Sequence, residues 1–218
     1  MKDEHDKVTA DAWEDAQQYG GTQDPAVVSG RRFKGSVTPD VARQSWATPQ
    51  WIIDFVAAKF GFISIDVCAT ELNAKAAQYY TEVTNGLADG NNWGDEGGIA
   101  WCNPPYEDPL PWVEKAIEQA KQRGVTTIML VNNDPSTAWF LKALQGAQTV
   151  INFIGYTDKA TGKFKSGRVA FVDARTGEEG SKNPKGSVIF EIKPKKRGGI
   201  KTEYLSRLDM ETIGAKLL

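Results

Sequence analysis

The chain carries 218 residues, 40% of them apolar and 25% charged, with a formal net charge of −2; this is the balance of a globular domain with a substantial core. One histidine (His5) and two cysteines (Cys68 and Cys102) exclude a structural zinc site and leave little room for histidine general-base or Cys–His chemistry. No apolar run reaches the length of a bilayer span and the start lacks the apolar core of a signal peptide, so a cytoplasmic protein with reduced cysteines is expected.

Residues 1–30 are polar and acidic and read as a mobile tail, with a short helix near residues 10–16; residues 31–218 read as a single domain. After a loop, Thr48 is expected to cap a helix with Pro49 at its first position and Trp51, Ile52, Phe55, Val56 and Phe60 on its apolar face. "GFISIDV" reads as a strand, and "TELNAKAAQYY" as a helix running into a second strand around residues 79–81. The turn-rich "TNGLADGNNWGDEGG" leads to a third strand, "IAWCN". A helix is expected over residues 109–123, stopped by Gly124, and then a fourth strand, "VTTIMLV". The helix "PSTAWFLKALQG" follows. The runs "TVINFIGY", "GRVAFVDA" and "GSVIFEIK" read as strands joined by basic turns. A last helix is expected from Thr202 to Lys216. Alternating strands and helices predict a mostly parallel sheet covered by helices, and the closing strands predict an antiparallel C-terminal edge. Ligands of such sheets bind beyond the carboxyl ends of the strands. Asp66 and Asn103 both fall at such ends, 37 residues apart.

Charge is unevenly spread. Residues 159–201 hold twelve Lys or Arg against four acids, a balance of +8 that leaves −10 on the remainder. A basic end on an acidic body suits a phosphate-backbone partner, or serves as a solubilising tail. The stretch "WCNPPYED" has a more specific chemistry. Each proline fixes φ and removes an N–H, so Asn103-Pro104-Pro105 is a stiff elbow rich in acceptors and poor in donors. Tyr106 adds a flat ring. Together they suit a planar group bearing an NH₂. Such an amine is a poor nucleophile because its lone pair is delocalised; two acceptors on its hydrogens favour the pyramidal nitrogen of the transition state without a strong base. A base within DNA would first have to leave the stack, at a cost of a few kcal/mol.

The ordered stretches "ATPQWIIDFV", "IDVCAT", "NAKAAQYYT", "NGLADGNNW", "WCNPPYED", "TTIMLVNNDPSTAWF" and "GSVIFEIK", spanning about residues 46–194, resemble the phage-type, Dam-like DNA N6-adenine methyltransferases. The resemblance implies a Rossmann-like, S-adenosylmethionine-dependent sheet and a direct methyl transfer to a flipped adenine in duplex DNA, GATC being the first sequence to consider. It implies that Asn103 and Pro104 hold the amine, with Pro105 part of the same catalytic run, and that Tyr106 stacks on the base. Asp66, Val67 and Cys68 would lie under the methionine end of the donor, with Asn103 adjoining. Thr48 and Pro49 would close over the donor. Asn85, Gly86 and Leu87 would approach its adenine, with Asp89 nearby as a substitute for the acid that relatives often carry at Asn85. The basic segment around residues 157–187 becomes a target-recognition insertion. There Lys163, Lys165, Lys182 and Lys185 are candidate phosphate contacts, and Arg168 and Arg175 candidate base readers as well. "KPKKRGG" would grip the backbone or connect to the last helix. No metal and no membrane are implied, and a monomer is expected. Two alternatives stay open: amino-methylation of cytosine N4, RNA or a protein glutamine by the same motif, and a DNA-binding decoy without turnover.

Overall fold

The runs IAWC and TTIMLVN are short, apolar and rich in β-branched residues, and they pair side by side at the centre of the molecule. In the computed structural model, which describes residues 46–194 and 198–217, they are the parallel strands β4 (Ile99–Cys102) and β5 (Thr126–Asn132). The expected polar tail, its short helix, the loop to residue 45 and residues 195–197 of the basic connection lie outside the described residues.

The strands before these are β1 (Trp46–Ala47), β2 (Ile65–Asp66) and β3 (Gln78–Tyr79). Those after are β6 (Ala147–Ile154), β7 (Tyr156–Thr157), β8 (Phe164–Lys165), β9 (Ala170–Asp173), β10 (Glu179–Lys182), β11 (Ser187–Ile192) and β12 (Lys201–Ser206). The helices are α1 (Gln50–Phe60), α2 (Leu110–Arg123), α3 (Ala138–Gly146) and α4 (Arg207–Gly214). A seven-stranded sheet runs in the order β12-β6-β11-β5-β4-β2-β3. All its strands are parallel except β11, which is antiparallel to both β5 and β6. A small sheet β1-β9-β10 and a hairpin β7-β8 stand apart.

Side-chain alternation divides the core in two. Met129 and Val131 of β5 join Val67, Cys102, Val113, Phe140 and Phe190 on the face covered by α2 and α3. Ile128 and Leu130 join Ile52, Phe55, Val56, Trp101, Ile189 and Met210 on the face covered by α1 and α4. A strand buried on both faces reads as a continuous apolar run, which is why β5 carries no polar alternation.

Four expectations are corrected. The reversed strand is internal rather than at the edge, and the edge strand β12 is parallel to its neighbour. Residues 70–78 form no helix: a single turn closes at Thr70–Ala74, and the Lys75 N–H is taken by the Asp66 carboxylate. The final helix starts five residues later than expected, because residues 201–206 pair with β6. Its start is set by a capping box in which Ser206 and Asp209 satisfy each other's N–H groups. Finally, Thr48 makes no capping bond to α1; Pro49 occupies the N-cap position, and the Thr48 hydroxyl faces Asn103.

Removing the Ser206 hydroxyl frees a first-turn N–H of α4, so Ser206→Ala is expected to lower stability by about 1 kcal/mol, read as a lower urea midpoint with an unchanged slope.

Candidate active site at the carboxyl edge of the sheet

Because β2, β4, β5, β6 and β12 share one direction, Asp66, Asn103, Asn132, Ile154 and Ser206 all fall at one edge of the sheet. The reversed strand β11 starts at that same edge, so residues 155–186 leave from it and return to it. β2 and β4 are neighbours, Asp66 lies opposite Trp101, and the Val67 N–H donates to the Trp101 carbonyl at 3.0 Å. The expected site residues on these two strand ends therefore do meet.

At the end of β4 the Asn103 side chain donates through Nδ2 to the Thr48 hydroxyl at 3.3 Å. Its Oδ1 is buried and has no partner among the described residues, and the same holds for the Tyr106 hydroxyl and the Thr70 hydroxyl. Buried polar atoms are normally paired, so these open groups after two neighbouring strand ends make the segment a candidate for binding a polar ligand. Pro104 is buried and Pro105 exposed. The Tyr106 ring meets Phe171 of β9 edge-on, with centroids 6.1 Å apart, and burial pushes its phenol well above the usual tyrosine range.

At the end of β2, Asp66 is 2% exposed. Its two oxygens accept the N–H groups of Cys68 (3.2 Å) and Lys75 (3.0 Å). Burial pushes its pKa up to about 6, against the pull of those N–H bonds and of the Lys75 ammonium. Cys68 is half-buried and its thiol is pushed up to about 12 by burial and by Asp66, so neither cysteine is a ready nucleophile. Gly86 lies against β2: a Cβ there would come within 2.3 Å of the Val67 carbonyl. Its own carbonyl accepts the Trp93 indole N–H at 2.8 Å. Asn85 sits beside it with φ of 45°, its Oδ1 taken by the Leu87 N–H. Asp89 is exposed further along this loop.

The basic residues divide. Lys165, Arg168 and Lys182 line one cavity of about 390 Å³ with Trp51, Phe153 and Tyr156. Lys163 is exposed beside it in sequence. Arg175 forks onto Asp173 (3.2 and 2.9 Å), holding that carboxyl down to about 2. Lys185 pairs with Asp134 at 2.8 Å.

That last pair belongs to a clamp the sequence reading left unassigned. The polar run after β5 ties down the excursion that follows β6: Asn183 Nδ2 donates to Asn132 Oδ1 (2.8 Å) and Asn133 Nδ2 to Asn152 Oδ1 (2.9 Å). The Asn133 N–H also donates to the Gly186 carbonyl at 2.8 Å. Trp46 and Phe171 were likewise missed. β1 pairs with β9, and Trp46 lies so close to Gly180 that a Cβ there would come within 2.4 Å of its ring. The legible signal was a polar run at the end of an apolar strand; strand pairing over two residues leaves no periodicity to read.

A mostly parallel sheet with one reversed strand, helices on both faces and an acceptor-rich turn at its carboxyl edge is consistent with a methyltransferase-like α/β fold. The chain belongs to the DNA N-6-adenine-methyltransferase (Dam) family, whose model matches residues 35–217. It is 37% identical over 182 residues to the DNA N-6-adenine-methyltransferase of Escherichia phage T1, covering 82% of this chain and 75% of that protein. It is 32% identical over 171 residues to the protein of the same name from Haemophilus phage HP1 (strain HP1c1), covering 78% and 90%. Among the described residues no helix is long and apolar enough to cross a membrane. No group of three or more His, Cys, Asp or Glu among them could hold a metal ion.

Asp66 gives the site a pH signature. Its carboxyl binds a proton more tightly folded than unfolded, so its contribution favours the fold below about pH 4, fades as pH rises to about 6 and is absent above. The change is about 3 kcal/mol. Between pH 4 and pH 6.5, the urea midpoint of Asp66→Asn relative to that of the parent protein is expected to rise with pH; parallel curves would disprove the buried titration.

Proposed function

We propose that this protein transfers a methyl group from S-adenosylmethionine to N6 of an adenine flipped out of duplex DNA, GATC being the first sequence to test. The observation that carries the reading is the Asn103 side-chain oxygen, a buried acceptor without a partner at the end of β4. Family membership supplies the acceptor class.

The donor, when bound, supplies a methyl group on a positively charged sulfur that leaves as a neutral thioether. The residues present fit it. Thr70 offers a buried hydroxyl without a partner after β2. Gly86 presents bare backbone against Val67, and Asp66 places a carboxylate where an ammonium group gains most from low dielectric. In this reading Thr48, Pro49, Val67, Cys68, Asn85 and Asp89 complete the donor side of a Rossmann-like domain.

On the acceptor side, Asn103 Oδ1 and the Pro104 carbonyl take the two hydrogens of the adenine amine. As N6 forms its new bond it turns tetrahedral and gains positive charge, and the two oxygens stabilise that charge more than the planar ground state. The extra proton leaves to solvent afterwards. Tyr106 stacks on the flipped base, and stacking returns about 1–3 kcal/mol of the extrusion cost. Bringing amine and methyl into line supplies much of the remaining acceleration.

Residues 155–186 act as the target-recognition segment. Lys163, Lys165, Arg168 and Lys182 meet the DNA backbone or base edges directly. Arg175 and Lys185 reach it only by exchanging their present carboxylate partners. DNA as substrate places the protein in the cytoplasm of a bacterial or phage-infected cell, and a monomer suffices for the chemistry.

The test is to incubate the purified protein with unmethylated plasmid and labelled donor, digest the DNA to nucleosides and identify the labelled one. Label in N6-methyladenosine is expected. Label in N4-methylcytosine keeps the mechanism and overturns the target, and donor binding without turnover on any acceptor marks a decoy. Asn103→Ala is expected to lower transfer at least about 100-fold while calorimetry finds donor binding nearly unchanged.

A further inference from the structure

We infer that Thr48 is the positioning residue that anchors the Asn103 amide by its nitrogen while the oxygen faces the reacting amine, an inference that rests on reading Asn103 as the acceptor for that amine. The two ends of an asparagine amide are nearly equal in size and opposite in hydrogen-bonding sense. Only the oxygen can accept from an NH₂. Turned by half a rotation, the side chain would set N–H against N–H and the pocket would repel its substrate. A carboxylate has no such ambiguity, so an asparagine at this position gains from a partner that takes its N–H while the oxygen faces the substrate.

Thr48 stands where that can be done. Its hydroxyl accepts from Asn103 Nδ2, so the donor end of the amide is engaged and the acceptor end is left open. The hydroxyl is 55 residues away in sequence and makes no capping bond to α1. Thr48 is 4% exposed, which keeps water from competing for the amide. The residues flanking it are held from three sides. Pro49 opens α1, where its carbonyl accepts the Ile52 N–H at 3.1 Å. Trp46 and Ala47 pair with Asp173 and Val172 of β9. Asn73, from the loop after β2, donates to the Trp46 carbonyl at 3.0 Å. The segment carrying the hydroxyl that anchors Asn103 is thus held by the first helix, the loop after β2 and the excursion after β6 together.

The test compares Thr48→Val, which keeps the shape and removes the acceptor, with Thr48→Ser, which keeps it. Transfer is followed in a single turnover at saturating donor and DNA, and calorimetry on the same proteins gives donor affinity. Thr48→Val is expected to slow the saturated rate at least about 10-fold, and Thr48→Ser to stay within about 3-fold of the parent. A Thr48→Val rate within that margin overturns the inference, as does Thr48→Ser being equally slow. So does a loss that more donor restores, since that marks a donor contact alone. Should Thr48→Val not fold, Thr48→Ala is held to the same outcomes. Near-normal turnover by Asn103→Ala would sink the reading of Asn103 itself; an inactive Asn103→Ala beside an unimpaired Thr48→Val would sink only the role of Thr48.

Discussion

A sheet covered on both faces leaves the polar groups at its strand ends little water, and they must satisfy one another. Much of this protein's irregular structure follows from that constraint. Asp66 spends both oxygens on the N–H groups of the loop that follows it. Asn132 and Asn133 are met by Asn183 and Asn152. Toward the opposite edge of the sheet, Thr149 donates to Glu191 at 2.6 Å and Lys193 neutralises the same carboxylate. Six buried side-chain atoms have no partner among the described residues, and three of them belong to Thr70, Asn103 and Tyr106. Half of the unsatisfied polarity lies in the segments following two adjacent strands, where the proposed site lies.

Much of the architecture was legible because burial writes it into the sequence. The run from Thr127 to Val131 could be read as a central strand, and Gly124 as the end of α2, from composition and spacing alone. The elbow at Asn103-Pro104-Pro105 could be read as a site because prolines dictate backbone and remove donors. What escaped depended on partners far away in sequence. Residues 70–78 have the composition of a helix, yet the Asp66 side chain captures the Lys75 N–H and turns the segment toward β3. Residues 201–206 are too polar to announce a strand, since β12 is an edge with half of its residues exposed. The capping box at Ser206 and Asp209 was present in the letters as a start signal and marks the strand's end.

The candidate site divides in the same way. Asp66 and Asn103 were placed by their positions at strand ends. Thr48 was read as a helix cap and, by resemblance, as part of the segment that closes over the donor, not as a partner of Asn103. Its engagement with Asn103 joins residues 55 apart, and no spacing rule reaches that far. Trp46 and Phe171 belong to strands of two and four residues. Such pairings are set by the surfaces they cover rather than by a repeating pattern of their own.

The reversed strand β11 has an evolutionary consequence. Because it runs against β5 and β6, the excursion of residues 155–186 departs from one strand and re-enters on the next, where Val188 faces Asn152. Its two roots are adjacent, so its length and contents are free of the sheet's geometry, and loop closure grows only slowly more costly with size. The asparagine pairs at the roots and the short strand before α1 act as the fittings that any replacement must engage. On the reading proposed for residues 155–186, an enzyme built this way exchanges what it recognises as a cassette, leaving the chemistry proposed for β2 and β4 in place.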